Sequence, residues 1–310
     1  MTGSDPQLRP AGLIFDIKRY AINDGPGIRL TVFLKGCPLA CRWCHNPEGI
    51  SSAVQKMFSA DRCIGCGACV DACPENACTL TPAGIDTDAT RCTRCGRCTD
   101  VCPSRATEMS GQVTRVGTVM GWIEKERILF DQSGGGVTFS GGEPLMQPDF
   151  LIALLDACGR RRIHRTVDTT GLADSDTLLA VAARTDHFLY DLKLMDSRRH
   201  RRWTGVGNEI ILTNLTALAA TGASINIRLP LISGVNDDVE NAEQTAAFVS
   251  GLSGDKKRVS ILPYHAIAAS KYKKLGTAFD TGKMAVPDED KVVQIVAIFA
   301  DAGLDAVAGG

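Results

Sequence analysis

The sequence predicts an α/β protein built on a parallel sheet and interrupted by one cysteine-rich module. Three observations carry this reading. Short runs rich in β-branched residues alternate with segments of helical period, the pattern of parallel strands joined by helices. Polar clusters recur just past the ends of those runs. Between residues 61 and 104 the composition shifts abruptly toward cysteine and small residues. The expected division is a first part over 1–54, an insert over 55–110 and a remainder over 111–310.

Taken in order, residues 137–140 read as a strand and 148–158 as a helix stopped by Gly159. Strand 166–168 precedes a helix near 175–183, and strand 187–190 runs into Asp191. Strand 224–231 is followed by a helix near 239–249, strand 258–262 is the last clear core strand, and helix 291–302 stops at Gly303. Past the strand ends come Gly141-Gly142-Glu143-Pro144, Asp168-Thr169-Thr170-Gly171, Asp191-Leu192-Lys193 and Pro263-Tyr264-His265. In a parallel barrel such ends form one rim, where active sites collect.

At 310 residues and 44% hydrophobic content, the chain can bury one sizeable core and carry an extra module. A net charge of −1 gives no global basic field for nucleic acid. Arg160-Arg161-Arg162 and Arg198-Arg199-His200-Arg201-Arg202 are local basic runs, read as solvated faces or as a patch for an acidic partner. The first dozen residues, with Ser4, Asp5, Pro6 and Arg9, hold no apolar stretch of secretory type, and no run approaches the length of a membrane span. Thirteen cysteines without such a signal point to metal binding in a reducing compartment, which places the protein in the cytoplasm.

Three of them lie in Gly36-Cys37-Pro38-Leu39-Ala40-Cys41-Arg42-Trp43-Cys44-His45-Asn46. A 4Fe–4S cube has four irons, and four thiolates make it an electron carrier. Cys37, Cys41 and Cys44 supply three, which leaves one iron open to another molecule. The competing reading is a zinc site. It needs a fourth ligand close by, and His45, adjacent to Cys44, is poorly placed to be one. Two further runs, Cys63, Cys66, Cys69, Cys73-Pro74 and Cys92, Cys95, Cys98, Cys102-Pro103, repeat Cys-x2-Cys-x2-Cys-x3-Cys-Pro. They resemble bacterial two-cluster ferredoxins, in which the fourth cysteine of each run serves the other cluster. The resemblance implies one cluster on Cys63, Cys66, Cys69 and Cys102 and a second on Cys92, Cys95, Cys98 and Cys73. These clusters are closed; they carry electrons, or they serve structure or docking. Cys78 and Cys158 read as small core hydrophobes.

The three-cysteine loop, with an aromatic residue before its last cysteine, resembles the radical S-adenosylmethionine (SAM) superfamily. That resemblance implies an incomplete (β/α)6 TIM-like barrel carrying a bacterial-ferredoxin-like insert, and three 4Fe–4S clusters. It places SAM at the open iron, with Trp43 beside the adenine and Gly141, Gly142 and Glu143 at the amino group. More specifically, Asn23-Asp24-Gly25-Pro26-Gly27-Ile28-Arg29, Cys44-His45-Asn46-Pro47, Asp168-Thr169-Thr170-Gly171, Asp191-Leu192-Lys193, Ile227-Arg228-Leu229-Pro230 and Leu262-Pro263-Tyr264-His265 resemble the activating enzymes of glycyl radical enzymes.

By that resemblance Lys193 meets the SAM carboxylate, and Asp168 and Asp191 help hold a monovalent cation. Asp24, Arg228 and His265 line the place where a partner's glycine loop enters, and His265 is also expected among the cofactor contacts. A flavodoxin or ferredoxin serves as reductant. The insert departs from the pyruvate formate-lyase activator and is similar to activators of dehydratases and of C–C, C–N and C–S lyases. A radical SAM enzyme of a small molecule and a plain electron carrier are the competing functional classes.

Overall fold

The computed structural model describes residues 8, 10–255, 257–280 and 282–309; the reading of the N-terminal stretch through Arg9 falls, Leu8 aside, outside them. In chain order the strands are β1 (Ala11–Ala21), β2 (Arg29–Leu34), β3 (Gln55–Phe58), β4 (Cys78–Thr81), β5 (Gly84–Thr87), β6 (Thr107–Ser110), β7 (Gln112–Arg115), β8 (Gly136–Gly141), β9 (His164–Thr169), β10 (His187–Asp191), β11 (Ile225–Leu231), β12 (Arg258–Pro263) and β13 (Asp305–Ala308). The helices are α1 (Ala68–Asp71), α2 (Arg97–Asp100), α3 (Val116–Lys125), α4 (Arg127–Ser133), α5 (Pro148–Arg160), α6 (Ser175–Ala182), α7 (Ser197–Thr204), α8 (Glu209–Ala220), α9 (Val239–Ser250), α10 (Ala269–Lys274) and α11 (Glu289–Asp301).

Nine strands form one sheet in the order β13-β12-β11-β10-β9-β8-β2-β1-β7. From β2 to β13 every neighbouring pair is parallel, while β1 and β7 add an antiparallel edge. Side chains alternate between faces along each strand. Val32, Phe139, Val167, Ile227 and Ile261 face one way and pack under Ile123, Leu154, Leu178, Leu215 and Phe299 of the helices. The alternate positions carry Thr31, Thr138, Ser140, Thr166, Asp168, Arg228 and Ser260. A strand buried on both faces normally reads as a continuous apolar run. Here the second face is polar, so the sheet presents a chemically equipped concavity.

The sequence reading needs two corrections. Gly159 does not stop α5, which runs on to Arg160. A Cβ there would lie 2.5 Å from Arg165 Nη1, so the glycine gives room for the guanidinium that pairs with Asp186 at 2.7 Å. After α11, Gly303 does turn the chain at φ +80, but a further strand, β13, then adds to the sheet beside β12.

The segment between β2 and β7 closes on itself: β3 pairs with β6, Gln55 opposite Ser110, and β4 pairs with β5. Its helices α1 and α2 are one turn each, begun by Gly67 and Gly96 in the left-handed region. Buried Lys35, at the end of β2, ties it to the sheet by donating to the Glu48 carbonyl and to Gln55 Oε1. From the far side, Lys273 and Lys274 of α10 reach Asp61 at 3.3 Å and Glu108 at 3.6 Å.

Two glycine substitutions test this packing. A Cβ on Gly171 (φ +70) would fall 1.7 Å from the hydroxyl of buried Tyr190, so Gly171→Ala is expected to cost about 3 kcal/mol. Gly121, in α3 with open space around it, should instead gain about 0.5–1 kcal/mol as alanine. Anaerobic thermal unfolding of the two variants should shift the midpoint in opposite directions.

Candidate active site

The three-cysteine loop leaves the carboxyl end of β2 and is anchored at both flanks by backbone hydrogen bonds. Gly36 N–H donates to Gly49 O at 2.7 Å and Cys37 N–H to Ile50 O at 2.9 Å, while Ala40 and Arg42 N–H donate to Thr204 and Trp203 carbonyls at the end of α7. Burial pushes the Cys37 and Cys41 thiols up to about 12 and Cys44 to about 11. Metal binding to such thiols would release their protons.

Against this loop lies the turn after β8. Gly142 N–H donates to Leu34 O and Glu143 N–H to Gly36 O, both at 2.7 Å. A Cβ on Gly141 would sit 2.2 Å from Leu34 O, and one on Gly142 2.2 Å from Gly36 O. Both glycines are therefore required for two backbones to touch, quite apart from any ligand. Glu143 departs from expectation. It is fully buried, and its carboxylate accepts four hydrogen bonds: from Thr169 Oγ1 at 2.6 Å, Leu145 N–H at 3.1 Å, Thr170 Oγ1 at 2.6 Å and Thr170 N–H at 2.8 Å. Burial raises its pKa, against those four donors. A direct contact between Glu143 and an ammonium in the cavity does not fit this geometry; the carboxylate clamps the ends of β8 and β9 together.

The loop and the strand ends enclose a cavity of about 230 Å³, lined by Cys37, Cys41, Cys44, Trp43, Ser140, Gly141, Gly142, Asp168, Thr169, Thr170, Asp191, Lys193, Arg228 and Tyr264, among others. Its floor is an ion-pair row supplied by successive strands. Arg228 Nη1 lies 3.3 Å from Asp168 Oδ2 and its Nε 3.9 Å from Asp191 Oδ1. Ser140 Oγ donates to Asp168 at 2.6 Å and Lys193 Nζ to Asp191 at 2.7 Å. Burial, eased by Arg228, lifts Asp168 to about 6. Burial would lower Lys193, but Asp191 and the neighbouring cysteines outweigh it and hold the ammonium charged.

Trp43 lines the cavity and also packs with Leu194, Ile232 and Tyr264. Asp24 sits in the β1–β2 turn, where Thr31 Oγ1 donates to its carboxylate at 2.7 Å; its charge acts on both Asp168 and Arg228. Arg29 of the same motif is structural, donating to Pro26 O, Val137 O and Thr138 Oγ1. His265 is exposed and does not line the cavity; its carbonyl meets His45 Nε2 at 3.0 Å. The preceding Tyr264 takes the inner position. Tyr264, Ser140, Thr169 and Thr170 stand inside the sequence motifs, but the motifs assign them no such roles. A period-2 count along β8 and β12 was the available signal.

In the segment between β3 and β6, Cys63, Cys66, Cys69 and Cys102 line one cavity, and Cys73, Cys92, Cys95 and Cys98 line another together with Cys78. The fourth cysteine of each run thus lies with the other run's first three. Ala77 N–H and Ala106 N–H donate to Cys73 Sγ and Cys102 Sγ, both at 3.2 Å, as expected of sulfurs that bear charge. Cys158 is a core residue against Met120.

The residues suit the implied groups. Soft thiolates in sets of three and four match iron–sulfur clusters. One buried polar atom at the main cavity, Tyr264 Oη, has no hydrogen-bond partner among the described residues, and Arg228 Nη1 meets Asp168 only as an ion pair, without a formed hydrogen bond, which fits a polar ligand there.

Comparison with known proteins agrees. The profile of the radical SAM superfamily matches residues 92–246, a 4Fe-4S dicluster domain matches 62–115, and a 4Fe-4S single cluster domain matches 23–72. The chain is 43% identical over 301 residues to the trans-4-hydroxy-L-proline dehydratase activating enzyme of Clostridioides difficile, covering 96% of this chain and 99% of that protein. It is 40% identical to the choline trimethylamine-lyase activating enzyme of Oleidesulfovibrio alaskensis, covering 90% and 92%. Streptococcus suis SuiB bound to its precursor peptide SuiA shares the fold at TM-score 0.50 and 15% identity, over 88% of this chain and 46% of that one. Fold, cavity and cysteine loop define a radical SAM enzyme. Within that superfamily the chain belongs to the activating enzymes of glycyl radical enzymes.

Glu143→Gln tests the clamp. An amide nitrogen cannot accept, so at least one of the four donors loses its partner at a cost of about 1–3 kcal/mol. Equilibrium binding should show SAM affinity falling about tenfold or more, with iron content retained.

Proposed function

We propose that this enzyme activates a separate glycyl radical enzyme by taking one hydrogen from a glycine Cα in it. The observation that carries the reading is a three-thiolate loop opening onto a polar cavity lined by an Asp168–Arg228–Asp191–Lys193 charge row and by a Tyr264 hydroxyl that has no hydrogen-bond partner. The sheet then serves as an incomplete (β/α)6 barrel, formed by residues 1–54 and 111–310. Residues 55–110 form a ferredoxin-like insert holding two of three 4Fe–4S clusters. Cys37, Cys41 and Cys44 would hold a cluster that, when bound, would supply the electron for reductive cleavage of SAM to methionine and the 5′-deoxyadenosyl radical needed to take the glycine hydrogen.

The chain's own residues position the reactants. Gly141 and Gly142 present backbone to the SAM amino group, and Glu143 fixes those glycines from behind. Lys193, now paired with Asp191, serves the SAM carboxylate, and Asp168 and Asp191 help hold a monovalent cation. Trp43 flanks the adenine. Asp24 and Arg228, coupled by charge across the concavity, receive the glycine loop, with Tyr264 at the inner rim and His265 outside it. Cytoplasmic, anaerobic operation with a flavodoxin or ferredoxin donor fits the reducing chemistry. Among the described residues no helix is long and apolar enough to cross a membrane. The insert and the relatives named above support a dehydratase or lyase as client rather than pyruvate formate-lyase.

The test is electron paramagnetic resonance of the holoenzyme with SAM, reductant and a candidate glycyl radical enzyme; a glycyl doublet is expected. Asp24→Asn and Arg228→Lys should each cut the doublet about tenfold or more while SAM cleavage continues, because they misplace the glycine. SAM cleavage with no doublet in any candidate client would reject the reading.

A further inference from the structure

The two cysteine loops of the insert are built alike and charged differently. Cys63-Ile64-Gly65-Cys66-Gly67-Ala68-Cys69 has no ionisable side chain besides its cysteines, whereas Cys92-Thr93-Arg94-Cys95-Gly96-Arg97-Cys98 carries two arginines and follows Arg91. The backbones superpose by angle: Gly67 and Gly96 have φ +74 and +84, and Gly65 (φ +69) corresponds to Arg94 (φ +57). Arg94 thus occupies a left-handed position that the sister loop gives to glycine, which favours it. A side chain kept at such a position points to a role for that side chain.

The surroundings repeat the contrast. Ile64, Phe58, Ile85 and other uncharged residues line the cavity of Cys63, Cys66, Cys69 and Cys102. Lys56, Arg94 and Arg97 line the other, against a single carboxylate, Glu75. Arg91, Arg94 and Arg97 are exposed, as is Cys95, and among the described residues none of the three forms an ion pair. Over residues 61–88 the insert has one basic residue and five acidic; over 91–108 it has four basic and two acidic. The insert is therefore polarised, with its positive end at the Cys95 loop.

We propose that Arg91, Arg94 and Arg97 form the docking surface for an acidic one-electron carrier protein, which delivers its electron to the cluster held by Cys73, Cys92, Cys95 and Cys98. In this step the carrier loses one electron and that cluster gains it. The inference rests on the proposed function only for the need of an electron. Unpaired guanidinium groups steer an acidic partner and fix its orientation, an effect strongest at low salt. The same charges favour the more negative, reduced cluster beside them.

The rival surface is Arg201 and Arg202 on α7, exposed and close to the three-cysteine loop. The experiment compares the holoenzyme with Arg94→Glu/Arg97→Glu and Arg201→Glu/Arg202→Glu, which change net charge equally. Affinity for oxidised flavodoxin is measured calorimetrically against salt, and cluster reduction by reduced flavodoxin is followed by stopped flow. Rates with photoreduced deazaflavin serve as the reference. The Arg94/Arg97 variant should bind flavodoxin about tenfold or more weakly at low salt, lose most of the salt dependence, and show a matching fall in the flavodoxin-to-deazaflavin rate ratio. Arg94→Gly/Arg97→Ala, which copies the sister loop, should show a smaller loss in the same direction with iron content intact. Equal effects from both charge reversals, a larger effect at Arg201/Arg202, or none at Arg94/Arg97 would each overturn the proposal. A failure to form a glycyl doublet with chemical reductant would instead count against the proposed function and leave the flavodoxin binding result standing.

Discussion

A carboxylate with no access to water holds the working end of this sheet together. Glu143 accepts from two threonine hydroxyls and two backbone amides, and so joins the ends of β8 and β9. Its own N–H donates to Gly36 O, which fixes the start of the three-cysteine loop. Gly141 and Gly142 allow this only because they lack side chains; any Cβ would collide with the carbonyls of Leu34 and Gly36. Cofactor loop, glycine turn and threonine turn are thus one bonded unit. Leaving one partner of such a buried network unmatched costs far more than any single bond contributes.

That unit explains the division of labour on the polar face. Residues that define backbone geometry are saturated within the protein: Glu143, Thr169, Thr170 and Arg29. Two other residues of the cavity wall, Arg228 and Tyr264, keep capacity to spare. Arg228 is shared between two carboxylates at 3.3 and 3.9 Å without forming a hydrogen bond through Nη1, and Tyr264 has a buried hydroxyl with no acceptor. Asp168 is raised to about 6 because burial outweighs Arg228 and Asp191 adds a like charge.

The parallel strands and most helices were legible because β-branched runs and helical periods switch cleanly there. Cysteine spacing located the metal-binding loops, since few other constraints produce Cys-x2-Cys-x2-Cys-x3-Cys-Pro twice. The edges were less legible. β1 and β7 pair antiparallel, in part through exposed residues, and β13 has only four residues, so neither gives a strong periodic signal. Gly159 looked like a helix stop because sequence does not show the Arg165 guanidinium passing over it. The motifs point Glu143 at a ligand and favour His265 over Tyr264, whereas Glu143 is turned into the sheet and Tyr264 lines the cavity. Which of two adjacent side chains turns inward depends on the register of the strand before them, and motif matching does not supply that register.

The central claim is that one iron at Cys37, Cys41 and Cys44 takes its fourth ligand from SAM. Electron–nuclear double resonance of the reduced holoenzyme tests it most directly, using SAM labelled with ¹⁵N at the methionyl amine and ¹⁷O at the carboxylate. Hyperfine coupling from both labels to a cluster, lost in Cys41→Ala, is the result this account requires. A reduced, fully loaded protein that binds labelled SAM yet shows no coupling from either label would contradict it.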